Sequence, residues 1–383
     1  MRHLLFFLLP IIISTTLVSA QTARTTGGDI PVYKWFNPGQ TNVACIEGQA
    51  WPREVQQPYD RLPARAERTV RKDVWNLSHN SAGLIIRFKA GTDEIRIRYT
   101  INGSQAMPHM PATGVSGIDL YTITADSSQL WCAGHYSFGD TIEYKYTNLT
   151  TDSSSPGRGR EYRLYLPLYA TVRWLEIGVP ENRSFAPLPA RMTQPIVVYG
   201  TSIAQGACAS RPGMAWTAIV GRKLDRPVIN LGFSGNGKLE KEVIDLLTEI
   251  DAGVFVLDCL PNMVGGAGIG SGDVRTRILA AVRTIRQHSK APVLLVQHAG
   301  YPDGLTNSVR KKLYSDVNER MEEAFRELKT AGVPQLFLLS KPEINLGMDM
   351  TVDGTHPSDL GMQSYGDGYE KCIRSIFSGQ RGY

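Results

Sequence analysis

Two short segments of this 383-residue chain hold the residue types that acyl chemistry needs. Gly200-Thr201-Ser202 follows the apolar run Ile196-Val197-Val198-Tyr199, which puts a serine hydroxyl where a buried strand gives way to a loop. Far along the chain, Asp353-Gly354-Thr355-His356-Pro357 sets a carboxylate three residues before a histidine, with a proline to fix the turn. A hydroxyl is a weak nucleophile until a neighbouring imidazole takes its proton, and the imidazole needs a partner to hold its orientation. Ser202, His356 and Asp353 make up such a set. The rival histidines are weaker: His288 sits in Arg286-Gln287-His288-Ser289-Lys290, which reads as an exposed helix end. His298 follows an apolar run at 293–296 and, with Tyr301, is a candidate substrate contact.

The elements that must position these groups fall into two stretches. From about residue 70 to 180 the pattern has period two, as in Glu94-Ile95-Arg96-Ile97-Arg98-Tyr99 and Val172-Arg173-Trp174-Leu175-Glu176-Ile177. Such alternation marks strands with one buried face, and no helical period interrupts it, so an antiparallel β-sandwich is expected. Pro180 to Pro195 reads as a stiff connector and a domain boundary. Beyond it, apolar runs at 196–199, 228–231, 253–257, 293–296 and 335–339 alternate with helical segments, including 307–330 with Asn307 as its cap. Continuous apolar strands between helices predict a parallel sheet covered on both faces, with ligand groups in the loops after the strands. Those loops hold Ser202, the run Asn230 to Gly237, and Asp258-Cys259-Leu260-Pro261-Asn262-Met263. Asp258 is expected to hold nearby backbone N–H groups.

Hydrophobic residues make up 42% and charged residues 20%, an ordinary balance for a globular protein. The net charge of +5 is spread without a Lys/Arg block, which argues against nucleic acid as a partner. Arg2 and His3, the apolar stretch Leu4 to Ile13 and the small-residue site Val18-Ser19-Ala20 read as a signal peptide. The expectation is therefore an exported protein, periplasmic or secreted, starting near Gln21 and lacking a membrane span. Five scattered cysteines form no metal-ligand spacing and no disulfide scaffold, so no metal is expected; a Cys208–Cys259 bond stands as an alternative to buried free thiols.

The order Ser202, a glycine, Asn262, then Asp353-x-x-His356 resembles the four blocks of the SGNH (GDSL-like) hydrolase superfamily. Gly117-Ile118-Asp119-Leu120-Tyr121 is similar to the signature of an exported bacterial branch with an N-terminal β-sandwich. The resemblance implies a three-layer, flavodoxin-like α/β domain over 186–383, preceded by a jelly-roll-like sandwich over 21–185. It implies Ser202 as nucleophile, His356 as base and then acid, and Asp353 as its orienting partner. The oxyanion hole would be the N–H groups of Ser202 and Gly232 with the Asn262 amide. Asp119 and Tyr121 are expected to brace the junction, and Trp131 and Tyr136 to pack in the core, with sugar stacking as the alternative. The implied activity is cofactor-free hydrolysis of a small acyl ester, acetyl above all, on a carbohydrate. A lipase, lysophospholipase or thioesterase is one alternative; a silent glycan-binding protein is another. The sequence leaves the oligomeric state open.

Overall fold

The computed structural model describes residues 32–150, 159–265 and 271–380. The signal-peptide reading of residues 1–20 and a start near Gln21 lie outside them. Among the described residues no helix is long and apolar enough to cross a membrane.

Alternation builds the N-terminal half. One antiparallel sheet runs in the order Tyr33–Phe36, Thr171–Pro180, Ile95–Asn102, Ile142–Tyr146, His135–Ser137. The other runs Ser184–Pro187, Ile85–Gly91, Arg160–Tyr165, Asp119–Ile123, Gln129–Cys132, with Ile46–Glu47 also paired to Ile85–Gly91. Ile95, Ile97 and Tyr99 face inward while Arg96 and Arg98 between them stay partly exposed. Side chains from both inner faces, among them Phe88, Leu120 and Leu164 against Ile97, Leu175 and Ile177, form one core.

Two expectations need correction here. The stretch from 70 to 180 does contain helix: Lys72–Ser78 is helical, with a single further turn at Ala112–Val115. Nor is Pro180 to Pro195 only a connector, because Ser184–Pro187 pairs as an edge strand on Ile85–Gly91, a position that tolerates proline.

The C-terminal half is a five-stranded parallel sheet in the order Val228–Gly232, Ile196–Gly200, Val254–Asp258, Val293–Val296, Leu336–Leu339. Its strands are buried on both faces, so they lack alternation. The order reverses between Ile196–Gly200 and Val254–Asp258, and in open α/β sheets the crevice beyond such a switch point collects ligands. Ser202 and Asn262 both lie just past these two strands.

Covering the sheet takes help from the N-terminal half. On one face, helices Lys241–Leu247, Ser271–His288 and Ser308–Thr330 share a core with Trp51, Leu62, Val74 and Trp75. On the other, helices Trp216–Lys223 and Asp359–Phe377 share one with Ile85, Tyr121, Tyr165 and Leu168. Trp51, Leu62, Val74 and Trp75 therefore pack with the α/β sheet, although the resemblance places them in the sandwich over 21–185.

Candidate active site

The strand Ile196–Gly200 turns sharply into a one-turn helix, Ser202–Gln205. Gly200 permits the turn: a Cβ there would stand 2.6 Å from the Ala204 Cβ and 3.0 Å from the Asp258 carbonyl. Thr201 caps the helix by accepting the Ile203 N–H at 3.3 Å, and Gly206, at φ +111°, ends it. Ser202 is the first helical residue, so its own N–H has no partner inside the helix. The residue is only 8% exposed.

Ser202 Oγ lies 2.9 Å from His356 Nε2, and His356 Nδ1 lies 2.7 Å from Asp353 Oδ2. With Nδ1–H donated to a carboxylate, Nε2 is left as the acceptor for the serine proton. Asp353 Oδ1 also accepts the N–H groups of Thr355 and His356, at 3.0 and 2.8 Å. Burial works against ionisation of Asp353, but these hydrogen bonds and the His356 ring outweigh it and hold its carboxyl below the ordinary carboxylate value. Arg310 clasps the same loop: its guanidinium donates to Gly354 O and to Thr355 Oγ1, pairs with Asp303 and lies 4.0 Å above the Tyr301 ring.

The oxyanion geometry corrects the sequence reading at Gly232. Its N–H donates to Asn230 Oδ1 at 2.9 Å, and a Cβ on it would stand 2.3 Å from the Gln205 nitrogen. Gly232 is a glycine because the serine's helix packs directly on it, and its amide is already used. The turn that follows is open. Phe233 N–H donates to Gly200 O at 3.0 Å, which seats the turn beside the serine, and Gly235 at its tip has φ +69° and free space around it. Among the described residues the Gly235 N–H has no partner. The Asn262 amide lies against the same turn, 3.4 Å from Phe233 O and 3.3 Å from Gly237 O.

Residues from the N-terminal half fix this side of the site. Tyr169 O–H donates to Ser202 O at 3.3 Å, and Gln205 bonds to Asn80 Oδ1, Leu168 O and the Ser234 N–H, at 3.1, 3.1 and 3.0 Å. Arg61, 1% exposed, donates to the carbonyls of Leu77, Asn80, Asn230 and Gly232, with its guanidinium 5.0 Å from the Phe233 ring. Burial pushes this arginine down to about 9.

A family model described as the GDSL-like lipase/acylhydrolase family matches residues 193–374. A second, GxDLY, described as the N-terminus of SGNH-hydrolase-type esterases, matches residues 33–185. A crystal structure of a protein described as a GDSL-like lipase from Bacteroides ovatus ATCC 8483 is similar over 91% of this chain and 98% of that one, at 32% identity and a TM-score of 0.81. The chain belongs to the GDSL-like lipase/acylhydrolase family. The salicylyl-acyltransferase SsfX3 of a tetracycline biosynthetic pathway shares the fold at 17% identity and a TM-score of 0.72, over 91% of this chain and 98% of that one. A family two carbohydrate esterase from Cellvibrio japonicus does so at 12% identity and 0.50, over 92% of this chain and all of the other. No curated protein matches the sequence at a significant level.

Other residues singled out from this GDSL-like sequence fall into place around the site. His298 is 3% exposed and serves as scaffold: its main chain exchanges bonds of 2.7 and 3.0 Å with the Asn318 amide, and its Nδ1 accepts the Gly300 N–H at 2.9 Å. Burial pushes its pKa to about 3, so the ring is neutral. Tyr301 packs between His298 and Arg310, with no described contact to Ser202 or His356. Among the described residues no backbone N–H donates to the Asp258 carboxyl; it is buried beside the Tyr369 hydroxyl, and burial pushes it up to about 7.

Cys208 and Cys259 form no disulfide; both are buried thiols. Burial and the Asp353 charge push the Cys208 thiol up to about 12, so it is not a nucleophile. Asp119 braces the junction, accepting from Arg211, from Gly213 N–H at 3.0 Å and from Trp131 Nε1 at 2.6 Å, while Tyr121 OH accepts from Arg211 at 2.7 Å. Trp131 and Tyr136 are half exposed rather than core. Sequence reasoning missed Arg61, Arg310, Tyr169 and His109. The last stands on a turn bracketed by Pro108 and Pro111, with its ring 5.9 Å from His356.

Proposed function

We propose that this protein is a serine esterase that removes small acyl groups, acetyl in particular, from carbohydrates through an acyl-Ser202 intermediate. The observation that carries the reading is the continuous relay from Ser202 through His356 to Asp353 at 2.9 and 2.7 Å. His356 Nε2 takes the Ser202 proton as Oγ attacks the ester carbonyl, then returns it to the departing alcohol; Asp353 holds the imidazolium that forms between these steps. A water, activated by the same nitrogen, then releases the acid. The charge on the tetrahedral oxygen falls to the Ser202 N–H and the open Gly235 N–H, with the Asn262 amide turning to it from its long contacts to the Phe233 and Gly237 carbonyls; one such donor is typically worth on the order of 10²–10³ in rate.

The acetyl and carbohydrate part rests on the Gly-x-Asp-Leu-Tyr sandwich, the exported reading of the N-terminus and the fold shared with carbohydrate esterases, one of them solved with cellohexaose. Acetate release from acetylated xylan or a similar glycan by the parent, and none by Ser202→Ala, is the expected result. Equal release by both would overturn the mechanism. A preference for p-nitrophenyl esters of eight carbons or more, on the order of tenfold over acetate, would replace the acetyl reading with a lipase-type one.

A further inference from the structure

The rim of the site carries two further donor groups, on His109 and Cys208, that hydrolysis does not use. His109 stands on the turn bridged by Met107 and Met110, and its ring is inclined 29° to that of His356 at 5.9 Å. Beneath it, the Cys208 thiol donates to the His109 carbonyl at 3.3 Å from a backbone held at φ +67°. A residue with a Cβ is disfavoured in that conformation, and the serine relay has no use for it. The Cys208 sulfur, a His109 ring nitrogen and a His356 ring nitrogen all lie within 4.8 Å of one another.

We propose that His109, Cys208 and His356 form a site for a borderline-soft divalent cation, with zinc the best fit, and that its occupation switches hydrolysis off. The proposal rests on the reading of His356 as the base. Two imidazoles and a thiolate are donors zinc prefers, and donors on one tetrahedral zinc stand about 3.4–3.7 Å apart. Contraction from 4.8 Å asks for side-chain movement of about 1 Å, and His109 is exposed and able to provide it.

His356 is already arranged as a ligand. Asp353 holds Nδ1 at 2.7 Å, which leaves Nε2 for the metal with a carboxylate behind the ring, the outer-sphere arrangement that orients metal-binding histidines and raises their basicity. That same Nε2 receives the Ser202 proton, so metal and serine compete for one lone pair. On binding, the zinc–sulfur and zinc–nitrogen bonds form, the Cys208 proton leaves to solvent, no atom changes oxidation state, and water fills the fourth position. Removal of the metal reverses each change.

The test uses the full chain. Hydrolysis of p-nitrophenyl acetate is titrated with zinc chloride and then with EDTA; the parent should lose at least about 90% of its rate at saturation, the tenfold effect of about 1.4 kcal/mol, and recover it. His109→Ala and Cys208→Ser should keep the zinc-free rate while zinc inhibits them roughly tenfold or more weakly, since even outer-sphere partners are worth that much. Zinc inhibition unchanged in both variants would overturn the proposal. Independently of hydrolysis, cobalt(II) added to Ser202→Ala should give a thiolate-to-cobalt charge-transfer band that Ser202→Ala/Cys208→Ser lacks. No band would overturn the site even in an active esterase. The band without any ester hydrolysis by the parent would uphold the site and overturn its role as a switch.

Discussion

Ser202 and His356 lie 2.9 Å apart but rest on different foundations. The serine's side is buried and tied to the whole molecule. Its helix follows a strand in the middle of the parallel sheet, packs on Gly232, and is held by Tyr169, Leu168 and Asn80 from the N-terminal half. Arg61 ties two carbonyls of the adjoining strand end, Asn230 and Gly232, to those of Leu77 and Asn80 in the N-terminal half. The acid–base side is a partly exposed loop, with Asp353 and His356 side chains 37% and 22% exposed. A bridge between Thr351 and Pro357, two N–H bonds to Asp353 and the Arg310 clasp hold it. The position of the nucleophile is thus a property of the fold, and that of the base a property of a few local bonds.

Arg61 offers the largest break in that comparison. Arg61→Met should lower stability by about 3–5 kcal/mol, because two buried and two partly buried carbonyls lose their charged donor. Urea unfolding would show it as a shifted midpoint with an unchanged slope. A loss under about 1 kcal/mol, the scale of an ordinary solvated hydrogen bond, would mean that the serine's side is not globally anchored.

The two sides should also respond to pH with opposite signs. The Asp258 carboxyl, on the serine's side, is raised to about 7 in the folded state. The unfolded chain therefore loses this proton first, and stability falls as pH rises from about 4 to about 7 at up to about 1.4 kcal/mol per unit. Asp258→Asn should flatten that decline, gaining a few kcal/mol over the parent at pH 8 relative to pH 4. Asp353 is lowered in the folded state, so its contribution is present above the ordinary carboxylate value and lost as pH falls through its folded value. Asp353→Asn should remove part of the acid sensitivity only. Thermal unfolding of both variants across pH 3–8 separates the signs; the same sign in both would contradict the assignment.

Arg310→Gln is the smallest perturbation. Its partners are partly exposed, so stability should change by less than about 1 kcal/mol. Because the loop it holds carries the base, kcat should fall roughly tenfold, as misplacement of a reacting group does. Loss of stability without loss of kcat would reverse the picture of a locally positioned base.

The same contrast explains what the sequence made legible. The five parallel strands are almost wholly apolar, so burial writes them plainly into the chain, and the Asp353-x-x-His356 turn announces itself by its local residue types. What stayed hidden depends on contacts between distant residues. Gly232 and Gly235 stand in one glycine-rich run, and only the Asn230 side chain, folded back onto the first, decides which N–H is open. Trp51, Leu62, Val74 and Trp75 are apolar without a period that names their partner sheet. Arg61, Arg310 and His109 look like surface residues until the fold brings Gly232, Gly354 and His356 to them.

The central claim is the acyl-serine at Ser202, and peptide mass mapping after brief exposure to p-nitrophenyl acetate or a fluorophosphonate tests it most directly. The account predicts one adduct, on the peptide holding Ser202, absent in Ser202→Ala and strongly slowed in His356→Ala. An adduct on another residue, or ester hydrolysis with Ser202 unmodified and replaceable, would contradict it.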